Sequence, residues 1–563
     1  MGAPPNSQAA PLPTNLPFRL VSKTIGAGAY ASIRKAVPLN KSSPIIAIKF
    51  INKDHAVRVG RLSPKQVKYE ISIHAEVCKD RAHPNIIRLL NYGEDPVWYW
   101  LALELAEGGD LFDKIEADEG VPEEVAHFYF KQLMSAVAWC HSRGVAHRDI
   151  KPENMLLSAD GNLKLADFGL ATTYMDVRSG RTKTCATVCG SPPYIAPEIV
   201  LTGTANMRRK RNNETSERAG YKPDLTDLWS CAIVLFVLLV GNTPWDSPVP
   251  ESSPEYAEFL ATNGRPNDEL WDNIPLDALS LIRGMLRVNP AERFKLDQIN
   301  THPWFLKPNQ YMSSKGTTLD SVALATTMMS RLRIDMSSNY DSQNRSKTIT
   351  QADYDSQSQP WAQAFPNTQP ETPATDTAFD WEAPAPTTSL IAASQPTTAS
   401  DRSAAAAFTD SARHLLDTDV SLSQFSASQA LPLTLTQAAR RFGDIAPAHA
   451  LTRFYSAVPV GQLLATLRAG LLALGVATTD RGAEGVVGRH VLFVKAMDAR
   501  RQPMGGNVVV ESLGQGSGLV EVRMVRSKAD PLEWRRLFKR LVVQVRDVVF
   551  VPNEGGGGGW SQV

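Results

Sequence analysis

From residue 18 onward, short runs of dense and often β-branched apolar residues follow one another: FRLVSKTI, ASIRKAV and PIIAIKFI. Runs of this length and composition predict β-strands, the first two separated by a glycine-rich turn. Near residues 64–79 the apolar period lengthens to that of a helix. After Pro122, the stretch EEVAHFYFKQLMSAVAWCHSRG has helical spacing, with Val125, Phe128, Leu133, Val137 and Trp139 among its apolar positions. Gly144 stands where a cap glycine would end that helix. The longest apolar run, CAIVLFVLLV at 231–240, is too short to cross a bilayer and predicts a buried core helix. More helices are expected to about residue 305. Strands first and helices later predict an α+β fold of two lobes, one β-rich and one helical.

The pattern fails over 307–447, where Ser, Thr, Gln, Ala and Pro dominate. Such a segment cannot bury enough surface to offset its ordering entropy, so a disordered linker is expected. Patterning returns over 448–553. A helix is expected just after Pro459, and HVLFVK, NVVVESL and GLVEVRMVR predict strands. DPLEWRRLFKRLVVQVRDVVF predicts an amphipathic closing helix, with Leu537, Phe538, Leu541, Val542, Val545 and Val549 on one face. The expected organisation is a flexible N-terminus (1–17), a large domain (18–306), the linker (307–447), a small α+β domain (448–553) and a flexible tail (554–563).

Composition narrows the function classes. The chain has 59 Lys plus Arg against 58 Asp plus Glu, a net charge of +1. That balance argues against a globally basic nucleic-acid binder, and no stable nucleic-acid binding is expected. None of the five cysteines lies beyond Cys231, so no disulfide framework spans the chain and a reducing compartment is expected. Cys185 and Cys189 are spaced like half of a zinc site, but no second pair accompanies them. The N-terminus lacks the apolar core of a secretory signal. Asn6 stands where a myristoylation motif beginning at Gly2 wants Ser or Thr. No membrane span is expected.

The candidate chemistry gathers in the large domain. Gly26-Ala27-Gly28-Ala29-Tyr30-Ala31 lies between two strands. Such a turn brings backbone N–H groups to phosphates without side chains in the way, and alone it is equally an ordinary hairpin turn. A dinucleotide-binding fold would place a helix after it, not a strand. Lys49, near the end of an apolar strand, needs an anionic partner. Glu70, in the helical stretch KQVKYEISIHAEV, is the natural one, although a surface Lys and an unrelated Glu would read the same. His147-Arg148-Asp149-Ile150-Lys151-Pro152-Glu153-Asn154 adds weight. Asp149 can accept a proton or orient a hydroxyl, Lys151 can neutralise a phosphate, and Asn154 can ligate a hard cation. Thirteen residues past Asn154, Asp167-Phe168-Gly169 offers a second oxygen ligand of the kind magnesium prefers, and Ala196-Pro197-Glu198 follows.

In this order the motifs resemble the eukaryotic protein kinase family, over about residues 20–306. The resemblance implies a two-lobed kinase fold with ATP bound between the lobes. It implies contacts to ATP from Ile25, Gly26, Ala27, Gly28, Ala29, Tyr30, Ala31, Ile33 and Lys49, with Glu104 and Ala106 as hinge positions. Lys49, paired to Glu70, would hold the α and β phosphates. Asn154 and Asp167 would hold Mg2+, and Asp149 would orient the substrate hydroxyl beside Lys151. Lys151 in HRDIKPEN follows the serine/threonine pattern, and Ser191 in GSPPYIAPE resembles the residue that bonds the Asp and Lys of that class. Asp227 looks like the acid that braces the catalytic loop, and Arg293 like the partner of Glu198. Ala31 departs from the pattern: the family has its third glycine there, and a methyl group is expected to restrict the loop over ATP. Lys49, Asp149 and Asp167 are all kept, so activity is expected.

Longer stretches, among them YKPDLTDLWSCAIVL and GNTPWDSP, are similar to the checkpoint kinase one family. That resemblance implies protein substrates, cell-cycle regulators among them, phosphorylated at Ser or Thr with Arg commonly three residues upstream. Asp110 and Glu153 are then anchors for the guanidinium, or else solvated loop charges. Ser-Gln or Thr-Gln begins at Ser342, Thr350, Ser356, Ser358, Thr368, Ser394, Ser423, Ser428 and Thr436. Composition alone would produce some of these. The resemblance implies a cluster for an upstream phosphatidylinositol-kinase-like checkpoint kinase, with Ser342, Thr350, Ser356, Ser358 and Thr368 as expected regulatory phosphosites. TANMRRKRNNETSERAG carries Arg208, Arg209, Lys210 and Arg211, either a nuclear-import patch or a solvated basic loop. LTRFYS and the final helix, with Arg535, Arg536, Lys539 and Arg540 near its start, are similar to the kinase-associated domain that ends checkpoint and energy-sensing kinases. It implies a module that restrains the kinase or contacts anionic surfaces; a generic packing domain is the plain alternative.

The expected protein is a monomeric serine/threonine kinase that uses ATP and Mg2+ and answers DNA damage or stalled replication. It is expected in the nucleus, with room for a cytoplasmic pool. An energy-sensing kinase with a similar tail and a non-catalytic scaffold on the same fold are the alternatives.

Overall fold

A computed structural model of the chain describes residues 11–27, 31–58, 63–213, 218–336, 416, 419–425, 439–449, 451–480, 489–498, 502–513, 518–528, 530–552 and 560–562. The strand-rich N-terminal segments form an antiparallel sheet. Its strands are β1 (Phe18–Ala27), β2 (Ala31–Pro38), β3 (Ile46–Asn52), β4 (Leu89–Glu94) and β5 (Trp98–Glu104), in the order β1-β2-β3-β5-β4. Alternation along β3 and β5 buries both faces: Ile48, Phe50, Trp98 and Ala102 on one, Ile51, Tyr99 and Leu101 on the other. The helix Pro64–Cys78 closes the second face with Val67 and Ile71. It starts at a capping box in which Ser63 Oγ accepts from Gln66 N (3.3 Å) and Gln66 Oε1 accepts from Ser63 N (2.7 Å).

The second lobe is helical, as the change of period predicts. Helices Glu123–Ser142 and Pro223–Val240 pack together at its centre, with Phe128, Leu133, Val137, Leu228, Ile233 and Leu235 in one core. The second begins at Pro223, ahead of the apolar run, because proline suits a helix's first turn. Its 18 residues are apolar and long enough to cross a membrane, yet they are buried within the lobe. Gly144, at φ +70°, ends the first helix as expected; a side chain there would strike the Met175 carbonyl.

The basic insert is corrected. Arg208–Arg211 form the last turn of the helix Pro197–Arg211 and not a loop. Cations are favoured at that end of a helix dipole.

The expected linker is corrected at both ends. Helix Ser321–Met329 starts where Asp320 Oδ1 accepts from Val322 N and Ala323 N, and it buries Leu324, Ala325 and Met328 in the helical lobe. Arg331 Nη1 donates to the Glu119 and Val121 carbonyls. The short turn Val420–Phe425 packs Leu422 and Phe425 on the C-terminal domain, and Phe442 and Ile445 enter the large lobe's core. Ser342, Thr350, Ser356, Ser358, Thr368, Ser394, Ser428 and Thr436 lie outside the described residues, as do 1–10 of the N-terminus.

The C-terminal domain is a five-stranded antiparallel sheet in the order Arg453–Ser456, Val520–Lys528, Pro503–Ser512, Arg489–Met497, Ala477–Asp480. Helices Val460–Ala473 and Pro531–Gln544 cover it with Leu463, Leu467, Trp534, Phe538 and Leu541. The closing helix is shorter than its amphipathic pattern predicts. It ends at Gln544, and Val545 and Val549 reach the core from the turn that follows. The tail is likewise corrected: Trp560–Gln562 pairs as a strand with Phe550–Pro552. Trp534 is 1% exposed and donates through Nε1 to Met524 O at 3.2 Å. Replacing it, Trp534→Ala, should destabilise this domain by about 3–5 kcal/mol. Calorimetry should show the loss as an earlier transition; an unmoved thermogram would contradict this packing.

Candidate active site

Lys49, on β3, projects between the lobes. Its Nζ lies 2.8 Å from Glu70 Oε1 on the helix Pro64–Cys78 and 3.1 Å from Asp167 Oδ1 in the Asp-Phe-Gly turn. Burial works against the ammonium charge, but Asp167 and Glu70 more than reverse that and raise its pKa. Burial alone would also raise Asp167; Lys49 turns that shift downward. One cation thus joins a strand, a helix and a loop. Phe168 is buried beneath, with its ring 4.6 Å from His74 and 5.2 Å from His147. Burial lowers His74 to about 4, so its ring is neutral at neutral pH and Nε2 donates to Ile87 O at 2.8 Å.

The loop after Val145–Ala146 carries the hydroxyl- and phosphate-directed groups. Lys151 Nζ lies 3.1 Å from Asp149 Oδ2 and 3.1 Å from Ser191 Oγ, and Ser191 Oγ donates to Asp149 Oδ1 at 3.3 Å. Asp227 braces this loop from the buried helix. Its carboxylate accepts from His147 N (2.8 Å), Arg148 N (2.7 Å) and His141 Nε2 (2.8 Å). Arg148 and Asp167 both hold positive φ, +63° and +62°, which costs about 1–2 kcal/mol each for a residue with a Cβ. Arg148 also donates to Leu170 O and Tyr221 OH. Arg293 grips Glu198 through two bonds of 2.7 and 3.0 Å, as expected.

Asn154 donates its amide N–H groups to Asp149 O (2.7 Å) and Oδ2 (3.2 Å), which leaves the amide oxygen to face a cation. Among the described residues no cluster of three or more His, Cys, Asp or Glu side chains is arranged for a metal. An amide oxygen and a carboxylate, Asn154 and Asp167, completed by phosphate oxygens, fit the way Mg2+ is commonly held.

The nucleotide-facing expectations divide. Gly26 pairs with Ile33 and Ala27 with Ser32 across β1 and β2, Ile33 sits opposite Lys49, and Ile25 lies on β1. Gly28, Ala29 and Tyr30 lie outside the described residues. Ala31 is corrected: its methyl packs with Ile51, Ile71 and Tyr99 in the core beneath the sheet, so the missing glycine is used for packing. Glu104 ends β5 with its carboxylate on Lys164 Nζ at 2.6 Å, and Ala106 O accepts from Gly109 N.

Asp110 and Glu153 are not solvated loop charges. Both are half-buried, and both face the C-terminal domain. Arg526 Nη2 lies 2.9 Å from Asp110 Oδ2 and 3.3 Å from Asp113 Oδ1. Farther along the same edge, Glu116 is fully buried and accepts from Arg535 Nη2 (3.0 Å), Lys539 Nζ (2.9 Å) and Arg333 N (3.0 Å). Arg536 takes Asp118 through Nε (2.9 Å) and Nη2 (2.6 Å). Gln424, the glutamine of the Ser423 motif, accepts from Arg535 Nη1 at 2.6 Å and is buried. Sequence reading found Arg535, Arg536 and Lys539 and expected the module either to restrain the kinase or to contact anionic surfaces, but it missed Arg526 and named no acid that these cations would meet. Those acids stand more than 400 positions away, with Arg526 and Asp110 separated by 416.

The comparisons agree with this geometry. The protein kinase domain family matches residues 20–305. Serine/threonine-protein kinase chk1 of Schizosaccharomyces pombe is 34% identical over 539 residues, which cover 94% of this chain and 96% of that protein. Serine/threonine-protein kinase CHK1 of Saccharomyces cerevisiae is 32% identical over 573 residues, 97% and 99% of the two. The chain belongs to the Chk1-type serine/threonine protein kinases. A Chk1-type kinase transfers phosphate from ATP to protein serine or threonine, so the scaffold alternative falls. CBL-interacting serine/threonine-protein kinase 26 of Arabidopsis thaliana is 35% identical, but over only 54% of this chain and 62% of its own length. In this Chk1-type kinase Asp227→Ala should strip partners from two buried N–H groups and cost about 2–4 kcal/mol. The urea midpoint should fall and kcat with it; an unchanged midpoint would contradict the bracing role.

Proposed function

We propose that this kinase phosphorylates Ser or Thr lying three residues after an Arg, and that it delays the cell cycle when DNA is damaged or replication stalls. The observation that carries the reading is the closed triangle of Asp149, Lys151 and Ser191 beside the half-buried carboxylates of Asp110 and Glu153. One group of side chains suits a hydroxyl and a moving phosphoryl group, the other a guanidinium.

In this reading Asp149 orients the substrate hydroxyl and takes its proton, and Lys151, steadied by Ser191, neutralises phosphoryl oxygens. Lys49, fixed by Glu70, grips the α and β phosphates. Asn154 and Asp167 hold Mg2+. Ile25, Gly26, Ala27 and Ile33 line the cleft above the nucleotide, with Glu104 and Ala106 at the hinge. The nucleotide and its metal supply the phosphoryl group and offset its charge. The protein contributes positioning and fixed charge.

The names of the two yeast relatives support the checkpoint role, as do the nine Ser/Thr-Gln sites between residues 342 and 437. Each phosphate would add about −1.5 to −2 charge. The interface between the domains is built of cations from the C-terminal side and carboxylates from the kinase side, so linker phosphates would compete for those cations and relieve a restraint. An upstream phosphatidylinositol-kinase-like kinase would write these marks. The kinase works in the nucleus, with Arg208–Arg211 as an import patch.

Asp149→Ala in the full chain should slow transfer to an Arg-x-x-Ser peptide by roughly a thousandfold, read by radiolabel incorporation with ATP and Mg2+. In cells, a chain with all nine sites changed to Ala should fail to delay division after DNA damage. A normal delay would remove the linker from the account.

A further inference from the structure

A half-open cleft of about 360 Å3 lies on the helical lobe, between the helix Glu123–Ser142, the short helix Pro303–Leu306 and the turn that follows Tyr311. Met134, Ala138, Phe305 and Met312 give it apolar walls, and Lys131 and Lys315 line it too. None of its lining residues belongs to the Lys49 cluster or to the triangle of Asp149, Lys151 and Ser191. Its volume falls in the range of about 300–1,000 Å3 that ligand pockets occupy.

The cleft is built into the fold. Gln132, 1% exposed, ties its walls together: Nε2 donates to Gly316 O and to Asn162 Oδ1, both at 2.9 Å, and Oε1 accepts from Leu163 N at 2.8 Å. The turn closes on itself where Ser313 N donates to Thr317 O at 2.8 Å, and Thr318 N donates to Asn162 Oδ1 at 2.7 Å. A site formed in advance spares its occupant the cost of ordering it.

Its two cations are not used by the fold. Lys307, on the same lobe, is engaged by Glu123 Oε1 at 3.0 Å and Asp277 Oδ2 at 2.5 Å. Among the described residues, neither Lys131 nor Lys315 has a carboxylate within ion-pair distance. Lys131 is half-buried, with its ammonium 5.3 Å from the centroid of the Phe305 ring. Burial lowers its pKa, and no acid offsets that shift. A half-buried ammonium whose companion is a ring face gains from a carboxylate that a ligand brings.

Apolar surface is also offered outside the cavity. Leu306, which follows the lining residue Phe305, is 61% exposed, and Leu319, three positions past the lining residue Gly316, is 67% exposed. Exposed apolar groups beside a polar-rimmed cleft mark a surface for a partner. A small carboxylic acid would use the cavity alone, whereas a peptide would use the cavity and its surroundings.

We propose that this cleft is a docking site for an acidic segment of a protein partner: an aromatic side chain seats among Met134, Ala138, Phe305 and Met312, and flanking carboxylates meet Lys131 and Lys315. Methionines and a phenyl ring suit an aromatic anchor. The paired ammoniums reject a basic segment, so the site is distinct from one that reads a substrate arginine.

The test is fluorescence anisotropy of the labelled peptide Glu-Asp-Phe-Asp-Glu titrated with the full chain. Saturable binding is expected, weakened roughly tenfold or more by Lys131→Glu/Lys315→Glu and by replacing the peptide's Phe with Ala. Transfer to an Arg-x-x-Ser peptide by that variant should be unchanged, which also reports that it is folded. Should charge reversal unfold the lobe, Lys131→Ala/Lys315→Ala serves instead and should weaken binding roughly fivefold. Absence of saturable binding, lysine variants that bind like the unaltered chain, or an Ala peptide that binds like the Phe peptide would each overturn the proposal. Displacement of the peptide by an equal concentration of N-acetylphenylalanine would make this a small-carboxylate site and overturn it too. Binding that appears only after Phe379→Ala and Trp381→Ala would give the cleft to the chain's own acidic stretch at 376–382 and overturn the partner reading.

Discussion

The ammonium of Lys49 is the constraint on which the nucleotide cleft depends. It sits between Glu70 and Asp167, which belong to a helix of the β-rich lobe and a loop between the lobes. Glu70 alone would be a buried charge and Asp167 a half-buried one, each in need of a partner. The cation satisfies both, and in doing so it sets the position of the helix Pro64–Cys78 and of the Asp-Phe-Gly turn. The β-rich lobe is built to present it: Lys49 is held in register by Ile33 on one side and Leu101 on the other, with both faces of the sheet packed.

The same logic operates at the contact between domains, with the roles of the charges reversed. Glu116 of the kinase lobe is fully buried, and the cations beside it, Arg535 and Lys539, come from the C-terminal helix. A buried carboxylate that lost those partners would be strongly destabilising. Leu532 of that helix lies in the large lobe's own core. Docking is therefore specified by apolar packing and by a buried acid together, while Arg526 and Arg536 meet less deeply placed acids on either side. Among the described residues, the ion pairs between the C-terminal domain and the kinase lobe run along the Asp110–Asp118 edge.

Much of this was legible in the sequence where the chemistry is local. The strand and helix periods, the Gly144 cap, the pairing of Lys49 with Glu70, and the geometry of Asp149, Lys151 and Ser191 follow from short motifs and regular spacing. What stayed hidden depends on distant partners. Ser321–Met329 reads as linker because Leu324 and Met328 suffice for a helix only when a neighbouring core accepts them. Ala31 reads as a loss in a phosphate-binding turn because its neighbours, Ile51 and Ile71, are remote in sequence. Asp110 reads as a loop charge until Arg526 is placed against it. The terminal arginines announce an anionic partner by their clustering, but nothing local says that the partner is the kinase lobe.

The central claim is that the docked C-terminal domain leaves the phosphate-handling machinery assembled. The most direct test is calorimetric titration of a non-hydrolysable ATP analogue with Mg2+ into the full chain and into its Arg526→Ala/Arg536→Ala double variant. The account predicts the same Kd for both, within twofold. Markedly tighter binding by the variant, tenfold or more, would mean that docking disturbs the Lys49 cluster and would contradict it.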